Sequence, residues 1–324
     1  MTTAMDARTT ARLHLAEGIL NVNKPTAWTS HDVVAKLRGL LKGQKIGHAG
    51  TLDPSATGVL PVLVGRATRI AEYLMDWDKE YRAVLRLGEA TDTQDATGAV
   101  LSRHSTDGLT EEAIRSAIAQ FQGRLSQMPP MYSAVKVGGT PLYKAARAGR
   151  TVTRRAREIN VHGIEVLGVS GPDVSLLIHC SKGTYVRTLC ADIGEALGVG
   201  GHLLALERTR AGPLTIEHAL TIEEIRSRLS LGRLDEDFLS LDAALDGLSA
   251  VVLDEATAAR VLHGVPVPFE AGHSDSLPAG KAVRLKDPSG RLLALGKVAD
   301  REEGAGAVKP AAITILKVLT DSEP

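Results

Sequence analysis

Gly47-His48-Ala49-Gly50-Thr51-Leu52-Asp53-Pro54-Ser55-Ala56-Thr57-Gly58 is the stretch on which the reading of this chain turns. Its three glycines let the backbone take positive φ or approach a ligand closely, and His48 and Asp53 are the side chains equipped for chemistry. The stretch lacks the phosphate-cradling pattern G-x-x-x-x-G-K-[ST], and no helix-opening G-x-G-x-x-G occurs in the chain. Taken alone it leaves two readings open: a plain Asp-Pro turn with His48 on the surface, or a loop that presents a carboxylate.

Upstream, Ile19–Asn23 reads as a short strand, followed by a Lys24-Pro25 turn. A helix opens near Ser30 with Val33, Val34, Leu37, Leu40 and Leu41 at helical spacing, and Gly43 ends it. Downstream, the apolar run Val59–Val64 is short enough for a buried strand, and Tyr81–Leu87 alternates like a half-buried one. Thr110–Phe121 has the helical period and stops at Gly123. Ile159–Val169 and Val174–Cys180 are rich in β-branched residues and flank Ser170-Gly171-Pro172-Asp173, the pattern of a strand pair. Thr184–Leu197 reads as a helix closed by Gly198, and Thr221 with Glu224 forms a capping box for a helix reaching about Leu229.

Strands and helices in this order predict an α+β core, not a regular doubly wound sheet. After the acidic segment Asp235–Asp246 the pattern changes to short strands at Ala282–Leu285, Leu292–Val298 and Ile313–Leu319, with a helix that Asp254 caps and Gly264 ends. A boundary near Gly247 divides the chain into a tail (1–17), a large domain (18–247) and a small β-rich domain (248–324). The length of 324 residues, more than one compact core usually spans, agrees with that division.

The apolar fraction of 44% is that of a globular protein. No apolar run of about eighteen residues is present to cross a bilayer, and no secretory signal opens the chain, so the cytoplasm is the expected compartment. Cys180 and Cys190 lack metal-ligand spacing and read as buried thiols, so no metal is expected. Formal net charge is zero, but Met131–Arg157 carries Lys136, Lys144, Arg147, Arg150, Arg154, Arg155 and Arg157 with no carboxylate among them. With Tyr132 and Tyr143 alongside, the segment combines phosphate contacts with stacking surfaces. A solvated basic loop fits those residues equally well.

The twelve-residue loop as a whole resembles the active-site motif of the tRNA pseudouridine-55 synthase family, the TruB type, which reads Gly-His-x-Gly-x-Leu-Asp-Pro-x-Ala-x-Gly. Asn23-Lys24-Pro25 with Thr29-Ser30, Asp78-Lys79-Glu80-Tyr81, Pro130-Met131-Tyr132-Ser133-Ala134 and Ser181-Lys182-Gly183-Thr184-Tyr185-Val186-Arg187 resemble further segments of that family in the same order. The likeness covers roughly Gly18–Leu245 and implies a mixed-sheet catalytic core there, and the C-terminal domain is similar in placement to the family's PUA-type RNA-binding module. One departure is Ala27, where the family usually has glycine. If Lys24–Ala27 is a type I turn, that position does not require positive φ.

The resemblance implies an isomerase that flips uridine 55 of the tRNA T stem-loop out of the stack and rejoins the base through carbon, with no cofactor. It implies Asp53 as the catalytic aspartate, Arg187 as its ion-pair partner, and Tyr81 stacked on the uracil and placed to move a proton. It further implies Tyr185 and Leu206 lining the uridine pocket, and His48 touching RNA where the base leaves the stack. Lys136, Lys144, Arg147, Arg150 and Arg154 would grip tRNA from the basic insertion, and the enzyme would act as a monomer without an obligatory protein partner. The alternatives are a guide-RNA-dependent relative, a non-catalytic RNA-binding or folding protein on the same scaffold, and a hydrolase built on Asp92 and Asp95.

Overall fold

The computed structural model describes residues 17–133, 135–268, 277, 279–299 and 312–320. Among these, a ten-stranded mixed sheet follows the path Phe238–Leu239, Gly18–Lys24, Thr57–Val64, Gly201–Ala211, Lys79–Leu87, Asp173–Cys180, Arg157–Ser170, Gly123–Gln127. Ile46–His48 pairs off this path with Thr57–Val64, and Leu214–Thr215 with Gly201–Ala211. The ladder between Thr57–Val64 and Gly201–Ala211 is parallel, whereas Lys79–Leu87 runs antiparallel to both of its neighbours. The expected tail lies outside the described residues except for Glu17, which pairs with Arg66.

Local sequence accounts for most of these elements. Thr29 and Asp32 form a capping box that starts helix Ser30–Leu40, and Val33, Val34 and Leu37 turn its apolar face inward. The second box, Thr221 with Glu224, starts helix Ile222–Ser230. In Lys79–Leu87, Tyr81, Ala83, Leu85 and Leu87 share the buried face. There they pack with Ile178, Cys180 and Leu189 beneath helices Glu111–Ala119 and Val186–Ala196. The two cysteines are buried thiols, and burial pushes Cys180 up to about 11 and Cys190 up to about 12.

Of the strands that sequence reasoning passed over, the most central is Gly201–Ala211. Gly201–Ala211 carries His202, Glu207, Arg208 and Arg210, and register shifts between Leu203 and Ala205 and between Arg208 and Arg210 break its alternation. A two-residue period cannot survive two bulges, so no strand pattern marks the segment although it sits mid-sheet. Arg208 is only 1% exposed there. Its backbone oxygen lies 2.3 Å from where a Cβ on Gly58 would stand, which is why that loop position has to be glycine.

Ala27 corrects the turn expected from the sequence: its φ is 64°, in the left-handed region that a side chain disfavours. An L-residue with a Cβ costs about 1–2 kcal/mol in that conformation, and Ala27 is exposed, so no packing offsets the cost. Ala27→Gly is therefore expected to raise unfolding free energy by about 0.5–1 kcal/mol after the loss of chain stiffness is subtracted. Urea unfolding of the two proteins checks this, and a less stable glycine variant would refute it.

A second, five-stranded sheet, among the described residues, has the order Ala250–Val252, Ala282–Lys286, Leu292–Val298, Ala312–Val318, Val267–Pro268. The Asp254 side chain caps helix Glu255–Leu262 by accepting from Thr257 N at 2.7 Å. This β-rich unit docks on the large sheet through Leu295 and Leu319, which join Ile19, Leu63, Ile70 and Leu245 in one apolar cluster. Asp242, from the acidic segment, receives Arg284 at 2.9 Å and Lys286 at 2.6 Å across the junction.

Candidate active site

Asp53 stands on the loop between Ile46–His48 and Thr57–Val64, and buried polar groups hold that loop from three sides. Ser30 Oγ accepts from Leu52 N at 2.9 Å. Arg208 donates from Nε to Val59 O at 2.6 Å and from Nη2 to Gly50 O at 3.0 Å. Lys24, 0% exposed, donates from Nζ to Trp28 O at 2.6 Å, Pro25 O at 3.0 Å and Pro54 O at 3.3 Å. Burial lowers the Lys24 ammonium to about 8, while the Asp53 charge pulls it back upward. A carboxylate on a glycine-rich loop is thereby fixed in position by donors to its backbone.

The Asp53 carboxylate meets Arg187 at two points, Nε to Oδ2 at 2.9 Å and Nη2 to Oδ1 at 3.4 Å. Arg187 is 5% exposed at the start of helix Val186–Ala196 and also donates to Tyr132 O at 2.9 Å and Thr93 O at 3.2 Å. Its third side faces Asp95, whose Oδ2 lies 3.6 Å from Nη1. Burial raises the Asp53 carboxyl above its ordinary range; Arg187 opposes the rise and Asp95 adds to it. Even so, 40% of the Asp53 side chain reaches solvent.

Tyr81 is 9% exposed and stands in register between Arg208 and Ile178. Burial raises its phenol, with Arg208 pulling the other way and the Asp53 charge adding to the rise, so the ring is a neutral hydrogen-bonding aromatic at neutral pH. Leu206 pairs with Ala83 on the adjoining strand and packs on the apolar cluster that contains Leu52 and Tyr81. Tyr185 precedes helix Val186–Ala196, where Gln127 clamps its backbone by accepting from Tyr185 N at 2.8 Å and donating to Tyr185 O at 3.0 Å. His48 ends its strand with Nδ1 buried and unpartnered, and its ring meets His31 edge-on at 5.5 Å. Burial, His31 and Arg208 lower His48 to about 4, so its ring is uncharged at neutral pH.

The basic insertion is an ordered arm. Lys136–Val137 pairs with Thr140–Pro141 across Gly138-Gly139, and helix Leu142–Arg147 follows with Leu142 and Ala145 buried. Lys136, Lys144, Arg147 and Arg150 are exposed and have no carboxylate partner among the described residues, and Arg147 lies over the Tyr143 ring at 5.7 Å. Arg154 differs: it is partly buried, and Nη1 donates to Pro129 O at 2.9 Å, tying the arm to its root. Asp92 and Asp95 do not form a hydrolytic pair. Asp92 Oδ1 accepts from Ala99 N at 2.8 Å, while Asp95 Oδ1 accepts from Thr93 Oγ1, Thr97 N and Thr97 Oγ1 at 2.6–2.9 Å.

The profile of the TruB family pseudouridylate synthase N-terminal domain matches residues 38–186, and that of the tRNA pseudouridylate synthase B C-terminal domain matches 187–252. The chain belongs to the TruB family of pseudouridylate synthases. A tRNA pseudouridine synthase B of Geobacter sulfurreducens is 45% identical over 272 residues, covering 83% of this chain and 90% of the relative. One of Burkholderia lata is 42% identical over 300 residues, covering 93% of this chain and 92% of the relative. Among solved structures, a chain of a Cbf5–Nop10–Gar1 complex superposes with TM-score 0.74 at 30% identity, covering 95% of this chain and 87% of that one. A chain of the archaeal box H/ACA sRNP Nop10–Cbf5 complex gives 0.71 at 29%, covering 95% and 88%.

Within this TruB-family fold, Asp53 touches Arg187, Tyr81 and Leu206 belong to the apolar cluster around Leu52 next to Asp53, Tyr185 stands two residues before Arg187, and His48 ends the strand that leads into the Asp53 loop. Sequence reasoning missed Lys24, Asp95, Gln127 and Arg208 as supporting residues. Lys24 had a signal, since it belongs to the Asn23-Lys24-Pro25 motif. The other three act across 58 to 158 residues of intervening chain or through a neighbour's guanidinium, and no local pattern marks them.

Proposed function

We propose that this protein isomerises uridine 55 in the T loop of tRNA to pseudouridine, with Asp53 as the catalytic carboxylate. The observation that carries the reading is the two-point contact of Asp53 with a buried arginine whose remaining donors are committed to backbone carbonyls and Asp95. A carboxylate so oriented is held still while part of it reaches solvent, as attack on a flipped nucleotide requires. Asp53 serves equally in addition to ring carbon 6, in attack at the anomeric carbon and in elimination. Tyr81 stacks on the uracil and exchanges a proton through its hydroxyl, Leu206 and Tyr185 confine the detached ring, and the neutral His48 ring fills the place the base vacates. No cofactor enters the scheme. Release of tritium from ring carbon 5 of uridine in a tRNA transcript tests it; release that persists when position 55 alone is unlabelled would overturn the site assignment.

Two observations favour a stand-alone tRNA enzyme over a guide-dependent relative. Identity to proteins named tRNA pseudouridine synthase B is 42–45%, against 29–30% to the Cbf5 chains. The arm Lys136–Arg150 also offers four exposed cations without carboxylate partners among the described residues. On this reading the protein works as a cytoplasmic monomer without an obligatory protein partner, and 248–324 is a PUA-like RNA-binding module. Retention of Asp53, Tyr81 and Arg187 together argues against a purely RNA-folding protein.

If the arm closes over tRNA, its cations release counterions, and each phosphate contact contributes about 0.7–0.9 to the slope of log affinity against log salt. Neutralising Lys144, Arg147 and Arg150 together is expected to flatten that slope by about two units and weaken binding at low salt. Arg154 is left in place because it anchors the arm to Pro129. A salt titration of tRNA binding decides, and superimposable slopes would place these cations in solvent.

A further inference from the structure

Three side chains that the proposed reaction does not use meet on the face of the large sheet away from Tyr81. His179 pairs in register with Glu80, so its side chain projects opposite to those of Ile178 and Tyr81. On the neighbouring strand, Val161 pairs with Cys180 and Gly163 with His179, leaving His162 as the extra residue of a β-bulge. A bulge re-aims a side chain, and here it carries the His162 ring to 4.6 Å from that of His179. Asp78, directly before strand Lys79–Leu87, completes the group with Oδ2 at 3.2 Å from His162 Nε2. One donor atom from each of the three residues lies within 4.8 Å of the others. His179 Nε2 is buried without a hydrogen-bond partner, an unusual condition for an imidazole nitrogen.

We propose that Asp78, His162 and His179 form a binding site for a divalent transition-metal ion of the zinc, cobalt or nickel type, held by two imidazole nitrogens and one carboxylate oxygen with solvent in the remaining position. Two imidazoles with one carboxylate form a donor set suited to these ions, whereas calcium and magnesium prefer oxygen alone. Bonds of about 2.1 Å place tetrahedral donors about 3.4 Å apart, so the side chains need close by only about an ångström. Asn160 Nδ2 lies 2.9 Å from His162 Nδ1, and with its amide turned to present oxygen Asn160 would accept from that ring nitrogen and aim Nε2 at the ion. The neighbouring cations are engaged elsewhere: Lys182 with Asp76 at 2.6 Å, and Arg210 with Glu80 at 3.8 Å. An ion held here would tie three adjacent strands together, three residues ahead of Tyr81, and the site stands independently of the proposed reaction.

The test uses full-length protein without an affinity tag, stripped by chelation and titrated with Co²⁺ near neutral pH, with equilibrium dialysis and visible absorption as readouts. The expected result is one saturable ion per chain with the d–d bands of nitrogen and oxygen ligation, competed away by Zn²⁺. His162→Asn and His179→Asn should each weaken binding by about a hundredfold or more, at the upper end of what loss of a mere orienting partner costs. His162 is exposed on a bulge, so its variant is expected to keep the wild-type melting temperature and decides the matter even if His179→Asn fails to fold. Absence of saturable Co²⁺ binding by the wild type, or binding undiminished in His162→Asn, would overturn the proposal.

Discussion

Asp53→Asn is expected to abolish isomerisation while leaving tRNA affinity within a few-fold of the parent. Asparagine keeps the size of the side chain and an oxygen that can accept from Arg187, so the loop held by Lys24, Ser30 and Arg208 should stay in place. What it removes is the anion. Loss of the carboxylate on which the proposed reaction depends should lower turnover by about four orders of magnitude or more, whereas the exposed cations proposed to hold tRNA lie on a separate arm. The measurement is single-turnover tritium release at saturating tRNA, in a preparation free of host enzyme, alongside a binding titration. Activity within tenfold of the parent would remove Asp53 from the chemistry. A pH profile adds a check. Because the folded protein raises the Asp53 carboxyl above its ordinary value, the parent's rate should begin to fall on acidification above the usual carboxylate range, about 3.9.

The loop that carries Asp53 was legible because its chemistry is written locally: glycines where the backbone turns positive or meets another strand, and one carboxylate between them. Gly50 and Gly58 do take positive φ, at 95° and 98°. The helices were legible for a similar reason, since caps such as Thr29 with Asp32 and Thr221 with Glu224 act over three residues. The centre of the sheet was not. Gly201–Ala211 owes its burial to two neighbouring strands, and its bulges break the alternation that would have announced it. Arg208 shows the difficulty: an arginine in a polar segment reads as surface, yet here it is buried and holds the carbonyl of Gly50, 158 residues earlier. Asp95 illustrates the opposite case, because a D-x-x-D spacing leaves paired carboxylates open as an alternative while its actual partners are threonine donors and the back of Arg187. Ala27 shows a limit of motif reading, since a type I turn over Lys24–Ala27 does not call for positive φ at its last residue, yet Ala27 takes it.

Arg187→Lys and Arg187→Met separate what this arginine does for the fold from what it does for the reaction. The guanidinium engages Asp53, Asp95 and the carbonyls of Thr93 and Tyr132 at once, which one ammonium cannot reproduce. In the Met variant two carboxylates lose their cation, which destabilises the fold by less than the roughly 3–5 kcal/mol of a fully buried pair because the Asp53 side chain reaches solvent. The Lys variant retains the charge, so it should fold while losing about 10²- to 10³-fold in single-turnover rate, the scale of one missing transition-state contact. Near-normal rates for the Lys variant would leave only a structural role. The acid limb of the rate profile distinguishes the partners further. Arg187 lowers the Asp53 carboxyl, so weakening that contact should move the limb to higher pH. Asp95 raises the same carboxyl, so Asp95→Asn should move it to lower pH, even though Asp95 faces the other side of the guanidinium. Opposite displacements would be the signature of one electrostatic unit centred on Arg187, and shifts of the same sign in both variants would mean that the two residues merely position the loop.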